Sequence, residues 1–205
     1  MITGCAKSGT TLVRRLMYAF KGVVIIPREI DLDTLVSLRE PNRTVIAKRT
    51  QLTLFSEKLS YSEGLEDRQA NLIADEGVEV INVIRDGRDV VLSNNRYVSP
   101  TRWIASMEQR ERHKDLIGIE IHYEDIVERA DDVQQEVANA LNLEIAHPWS
   151  EYPSFVPDIE FPGHGDGYER RPLDDSSIGK SENHPIDELK ERFDEQLALA
   201  GYGGD

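Results

Sequence analysis

Short apolar runs closed by glycine, proline or charged residues alternate along this chain with amphipathic stretches. Met1-Ile-Thr3, Gly22-Val-Val-Ile-Ile26, Thr44-Val-Ile-Ala47, Val78 to Ile84 and Ile117-Gly-Ile-Glu-Ile121 are short, largely apolar and rich in β-branched residues. They read as buried strands. Between them apolar positions recur at helical spacing. Leu12, Val13, Leu16, Met17 and Phe20 form one stripe, and further helices are expected over Leu32 to Arg39, about Gln51 to Asp75 with a break near Ser60 to Gly64, Asp89 to about Asn94, about Arg102 to Arg112, and Tyr123 through about Leu141. Pro185 to Ala200 is a last amphipathic helix, with Ile186, Leu189, Phe193 and Leu197 on one side and Gly201 as its stop. Strands separated by helices make βαβ units, so the pattern predicts an α/β sandwich around a parallel sheet of about five strands.

The stretch from His147 to Asn183 breaks this rhythm. Pro148, Pro153, Pro157, Pro162 and Pro172 are interspersed with Gly163, Gly165, Gly167 and Gly179, and no period persists. Its aromatics Trp149, Tyr152, Phe155, Phe161 and Tyr168 predict an ordered, lid-like segment packed over a site. A chain of 205 residues supports one core of ordinary size, so positions 1–205 are expected to form a single domain that includes this segment.

Charge narrows the choice of ligand. The chain carries 24 Lys+Arg against 38 Asp+Glu, a formal net charge of −14. Such a field disfavours nucleic acid and anionic membrane as partners. An anionic ligand would require the few cations to gather at one place. Cys5 is the sole cysteine, which excludes an intrachain disulfide. No run approaches the ~18 apolar residues of a membrane span, no signal peptide is visible, and a cytoplasmic location is expected.

The first candidate site is Gly4-Cys-Ala-Lys-Ser-Gly-Thr-Thr11, between the first strand and the first helix. A strand, a glycine-bounded loop and a helix start bind phosphate: glycines let the backbone approach, and unpaired N–H groups and the helix dipole face the anion. Lys7 adds a cation, and Ser8, Thr10 and Thr11 add hydroxyl donors beside Gly9. A Walker loop places its lysine directly after the second glycine. Here Thr10 holds that position and the lysine lies inside the loop. The second site is Ile84-Arg-Asp-Gly-Arg-Asp-Val-Val-Leu-Ser93, where Arg85 ends a strand and Ser93 follows a helical excursion later. A guanidinium grips phosphate bidentately, and a serine can donate to the same group.

Taken together, Lys7-Ser-Gly-Thr-Thr11 and Arg85 to Ser93 resemble the two nucleotide motifs of sulfotransferases that use 3′-phosphoadenosine 5′-phosphosulfate (PAPS). The resemblance is specific over residues 4–15 and 84–93 and looser elsewhere. It implies a P-loop NTPase-like three-layer fold. By that resemblance Lys7 and the loop hold the 5′-phosphosulfate, Arg85 and Ser93 hold the 3′-phosphate, and Tyr123 lies near the adenine. Gly179 and Lys180 close over the 3′-phosphate, and the product is 3′,5′-ADP. Lys48 would help hold the sulfuryl group.

Two departures stand out. Lys48-Arg-Thr50 has threonine where soluble small-molecule sulfotransferases have a histidine base, and Leu12 replaces the aromatic that often follows the loop. Both resemble the branches that use a carboxylate base. Glu29 is then the expected base, with Asp31, a candidate helix cap, and His122 as alternatives. The acceptor would be a hydroxyl or amine on a small molecule, carbohydrate or tyrosyl peptide, and no metal is expected. A kinase using ATP and Mg²⁺ and a non-catalytic nucleotide-binding relative are the alternative readings.

Overall fold

Strands β1 (Ile2–Gly4), β2 (Val23–Glu29), β3 (Thr44–Lys48), β4 (Ile81–Ile84) and β5 (Ile119–His122) form one sheet, ordered β2-β3-β1-β4-β5. Every pairing is parallel. The computed structural model describes residues 1–39, 42–49, 63–93, 98–160, 171–179 and 190–203. Helices α1 (Thr10–Leu16), α2 (Leu32–Ser37), α3 (Glu63–Asp75), α4 (Gly87–Val91), α5 (Pro100–Arg112), α6 (Tyr123–Glu128), α7 (Ala130–Leu141) and α8 (Lys190–Leu199) accompany it.

The alternation of strand side chains builds three layers. Ile46 and Val83 join a core with Val13, Leu16, Met17, Val137 and Trp149, whereas their neighbours Ala47 and Ile84 face away. Ala47 packs with Leu32, Leu35 and Ile73, and Ile84 with Trp103, Ile104 and Phe193. Gly87 is required under this last group, because a Cβ there would lie 2.5 Å from the Trp103 ring.

Several boundaries differ from the sequence expectation for local reasons. β2 does not stop at Pro27 but runs through it to Glu29, and its register with β3 shifts between Ile25 and Glu29. Proline lacks a ladder donor, and an edge strand with a bulge accommodates that. The first helix is α-helical only to Leu16 and tightens into a 3₁₀ turn over Met17–Ala19. The helix expected from Tyr123 to Leu141 breaks at Arg129, whose backbone is at φ −141° and ψ 50°. The Val78 strand forms only from Ile81, and the Ile117 strand from Ile119 to His122. Positions 51–62 of the expected third helical region, and the start of the last helix, lie outside the described residues.

All five strands end on one edge. Chain order reverses about β1: β2 and β3 lie to one side, β4 and β5 to the other. Ligands of such sheets bind beyond the carboxyl ends at this switch point. The β1 loop and Arg85, which follows β4, emerge there.

Candidate functional site

The loop after β1 is shaped by its own hydrogen bonds. Cys5 O accepts from the Ser8 N–H at 3.1 Å and from Ser8 Oγ at 2.8 Å. Ser8, expected to add a hydroxyl donor, is buried and gives that hydroxyl to the turn. Lys7 takes a left-handed backbone (φ 70°) and is exposed. Gly9 (φ 100°) lies so close to Tyr123 that a Cβ would fall 2.5 Å from the ring. Gly9 also starts α1 without a side-chain cap. The Cys5 thiol is buried and pushed up to about 12 by that burial, so it is no nucleophile near neutral pH.

A cavity of about 570 Å³ opens beside this loop. Lys7, Gly9, Thr10 and Thr11 line one part of it, Arg85, Asp89 and Ser93 another, with Tyr123 also in the wall. Both sequence motifs thus meet in one space. Arg85 is 7% exposed. Its Nη1 donates to Lys7 O at 3.1 Å, its Nη2 donates to Ser177 O, and its guanidinium stacks 4.6 Å from the Tyr123 ring centre. No carboxylate pairs with it among the described residues. Arg85 Nε and Ser93 Oγ are buried atoms without a hydrogen-bond partner there. A buried cation that meets only neutral carbonyls among the described residues, in a cavity that also holds an unsatisfied hydroxyl, is a donor set an anionic ligand completes.

Further residues complete the cavity wall. Leu12, Val127, Tyr152, Pro172 and Leu173 are its apolar lining, and Arg15 and Arg171 add charge. Arg15 follows Thr11 by one helical turn, so helical spacing alone could have placed it on the same face. Behind the wall, Arg15 Nη2 donates to Glu160 O, while the Glu160 carboxylate pairs with Arg14 and accepts from Tyr18 Oη at 3.0 Å. Tyr152 lies in the segment expected to cover a site, and Trp149 from the same segment is fully buried, donating Nε1–H to Leu16 O at 2.9 Å. Phe161 and Tyr168 lie outside the described residues.

Glu29 and Lys48 are not part of this cavity's lining. They are partners in the β2–β3 register, and Lys48 Nζ donates to Glu29 Oε1 at 2.7 Å. The Glu29 side chain is 44% exposed and that of Lys48 15%. Asp31 caps α2, accepting from the Thr34 N–H at 2.7 Å, and that bond holds its carboxyl below the usual range. His122 Nδ1 meets Tyr202 Oη at 3.0 Å, and Tyr202 Oη donates to Glu124 Oε2 at 2.6 Å. Gly179 reaches Asp89 through its N–H, and Lys180 and Thr50 lie outside the described residues.

No protein-family model matches the chain, and no curated protein matches it. Among solved structures, the chain is similar to the sulfotransferase domain from the Synechococcus PCC 7002 olefin synthase, with a TM-score of 0.67 over 100% of this chain and 94% of that one. The fold is that of a sulfotransferase domain. Sequence identity to that structure is 13%, so what is shared is architecture: the parallel five-stranded sheet between helical layers. Among the described residues, no helix of this sulfotransferase fold is long and apolar enough to cross a membrane.

Proposed function

We propose that this chain is a PAPS-dependent sulfotransferase. The observation that carries the reading is the convergence in one cavity of Lys7, Thr10, Thr11, Arg85 and Ser93, with buried donors at Arg85 Nε and Ser93 Oγ that lack partners among the described residues. Those residues fit a ligand with two separate phosphate groups. Lys7 and the loop would hold the 5′ side, and Arg85 and Ser93 the 3′-phosphate. The apolar wall of Leu12, Val127, Tyr152 and Leu173 suits a nucleobase. When bound, PAPS supplies an activated sulfuryl group for transfer to a hydroxyl or amine.

The protein's own contribution is positioning and charge. Lys7 stands where negative charge would grow on the leaving phosphate. Glu29, paired with Lys48, would take the proton from the acceptor. Lys48 would orient that carboxylate and lend charge to the transferring group. A glutamate on an exposed strand end is open to an acceptor, and its alternatives are engaged elsewhere: Asp31 caps α2, and His122 meets Tyr202. The test is turnover with labelled PAPS across a panel of hydroxyl and amine acceptors, run beside ATP with Mg²⁺. Label transfer from PAPS alone supports the reading; transfer from ATP alone overturns it.

A further inference from the structure

A buried carboxylate in the wall of a cavity suited to anions is a misfit that needs a reason. Asp89 is 1% exposed, yet it lines the same cavity as Lys7, Arg85 and Ser93. A carboxylate there is no natural partner for a bound phosphate. Asp89 also lines a second cavity of about 440 Å³, shared with Asp86, Arg88, Glu124, Gly179 and Tyr202. It stands between the two spaces.

Its hydrogen bond supplies the reason. Asp89 Oδ2 accepts from the Gly179 N–H at 2.8 Å. Gly179 lies in a short strap that is shaped by local turns: Asp174 Oδ1 accepts from the Ser176 N–H at 3.0 Å, and Asp175 O from the Ile178 N–H at 2.8 Å. Gly179 itself is left-handed (φ 71°), a conformation side chains resist. The strap lies on the donor cavity, which Ser176 and Ser177 line. Ser177 is fastened at both ends of its polarity: its carbonyl accepts from Arg85 Nη2, and its Oγ meets Tyr123 Oη at 2.7 Å. A phosphate gripping Arg85 would compete with the Ser177 carbonyl for that guanidinium. The Asp89 bond to Gly179 does not depend on Arg85 and can hold the strap while that exchange occurs.

We propose that Asp89 is a positioning residue for the donor nucleotide, anchoring the strap through the Gly179 N–H so that it closes over the 3′-phosphate; this rests on the PAPS reading above. The role requires a hydrogen-bond acceptor, not a charge. Asp89→Asn keeps an acceptor oxygen and removes the carboxylate, whereas Asp89→Ala removes both. The expected order of affinity for 3′,5′-ADP is therefore Asp89→Asn equal to or above wild type, with Asp89→Ala weaker by about tenfold, the scale of a lost hydrogen bond. Affinity for ADP, which lacks the 3′-phosphate, should be little changed in both.

The experiment pairs calorimetry of the two nucleotides with amide hydrogen exchange at Ile178 and Gly179 in the full chain. Asp89→Ala should speed that exchange and Asp89→Asn should restore it. In wild type, 3′,5′-ADP should slow it while ADP does not, an arm that needs no variant and survives if Asp89→Ala fails to fold. Wild type that binds both nucleotides equally overturns the PAPS reading and this role with it. Wild type that prefers 3′,5′-ADP overturns the role alone if strap exchange ignores the ligand. The same holds if both Asp89 variants bind 3′,5′-ADP at least as well as wild type.

Discussion

Glu29 Oε1 and Lys48 Nζ stand 2.7 Å apart at the carboxyl ends of neighbouring parallel strands. β2 continues past its proline far enough for Glu29 to fall opposite Lys48, so an edge-strand irregularity creates the pair. With the Glu29 side chain 44% exposed, the ion pair adds little to stability and remains open to solvent.

General-base catalysis contributes ~10²–10⁴ in rate. Glu29→Gln keeps the shape of the side chain and its hydrogen bond to Lys48 while removing basicity. Turnover should fall by about a hundredfold or more, with the affinity for 3′,5′-ADP little changed. Normal turnover in Glu29→Gln, with loss in Asp31→Asn or His122→Asn, would move the base to the residue that fails.

Lys7 makes the opposite kind of contribution. Exposed at the cavity mouth, it should act chiefly on charge that develops during transfer, where one lost donor costs ~10²–10³ in rate. Lys7→Ala should therefore depress single-turnover rates far more than it weakens 3′,5′-ADP. A collapse in product affinity with normal residual turnover would make Lys7 a binding residue only.

Asp31 should report on stability. Its carboxyl is held below the usual range by the Thr34 N–H, so the folded state favours the ionised form. That stabilisation is complete above the unfolded carboxylate's pKa and is lost as pH falls through the lower folded value. At pH 7 Asp31→Ala should lower stability by about 1 kcal/mol, the usual worth of a helix cap. Denaturant titrations should show the gap from wild type shrinking below about pH 4. A gap that is constant across that range would contradict the cap.

What the sequence made legible was local. Glycines bound the loop after β1, short apolar runs mark the strands, and Arg85 follows one of them directly, so fold and motifs could be read in order along the chain. Contacts across long separations could not. Nothing near Arg14 or Arg15 points to Glu160, which meets them from 145 or 146 positions away. No glycine or proline marks the break at Arg129. The Tyr123 ring packs against Gly9 and Arg85, a placement set by how α6 leaves β5 that no local pattern announces. Ser8 has the chemistry of a ligand donor and uses it on Cys5, a choice that only the folded turn decides.

The most direct test of the account is calorimetry of 3′,5′-ADP against ADP, each without Mg²⁺, on wild type and Arg85→Ala. A charged, hydrogen-bonded contact is worth ~1.5–3 kcal/mol, so wild type should bind 3′,5′-ADP about tenfold or more tighter than ADP. Arg85→Ala should erase most of that preference and leave ADP affinity nearly unchanged. Equal affinity of wild type for the two nucleotides would contradict the assignment of Arg85 and Ser93 to a 3′-phosphate, and with it the proposed use of PAPS.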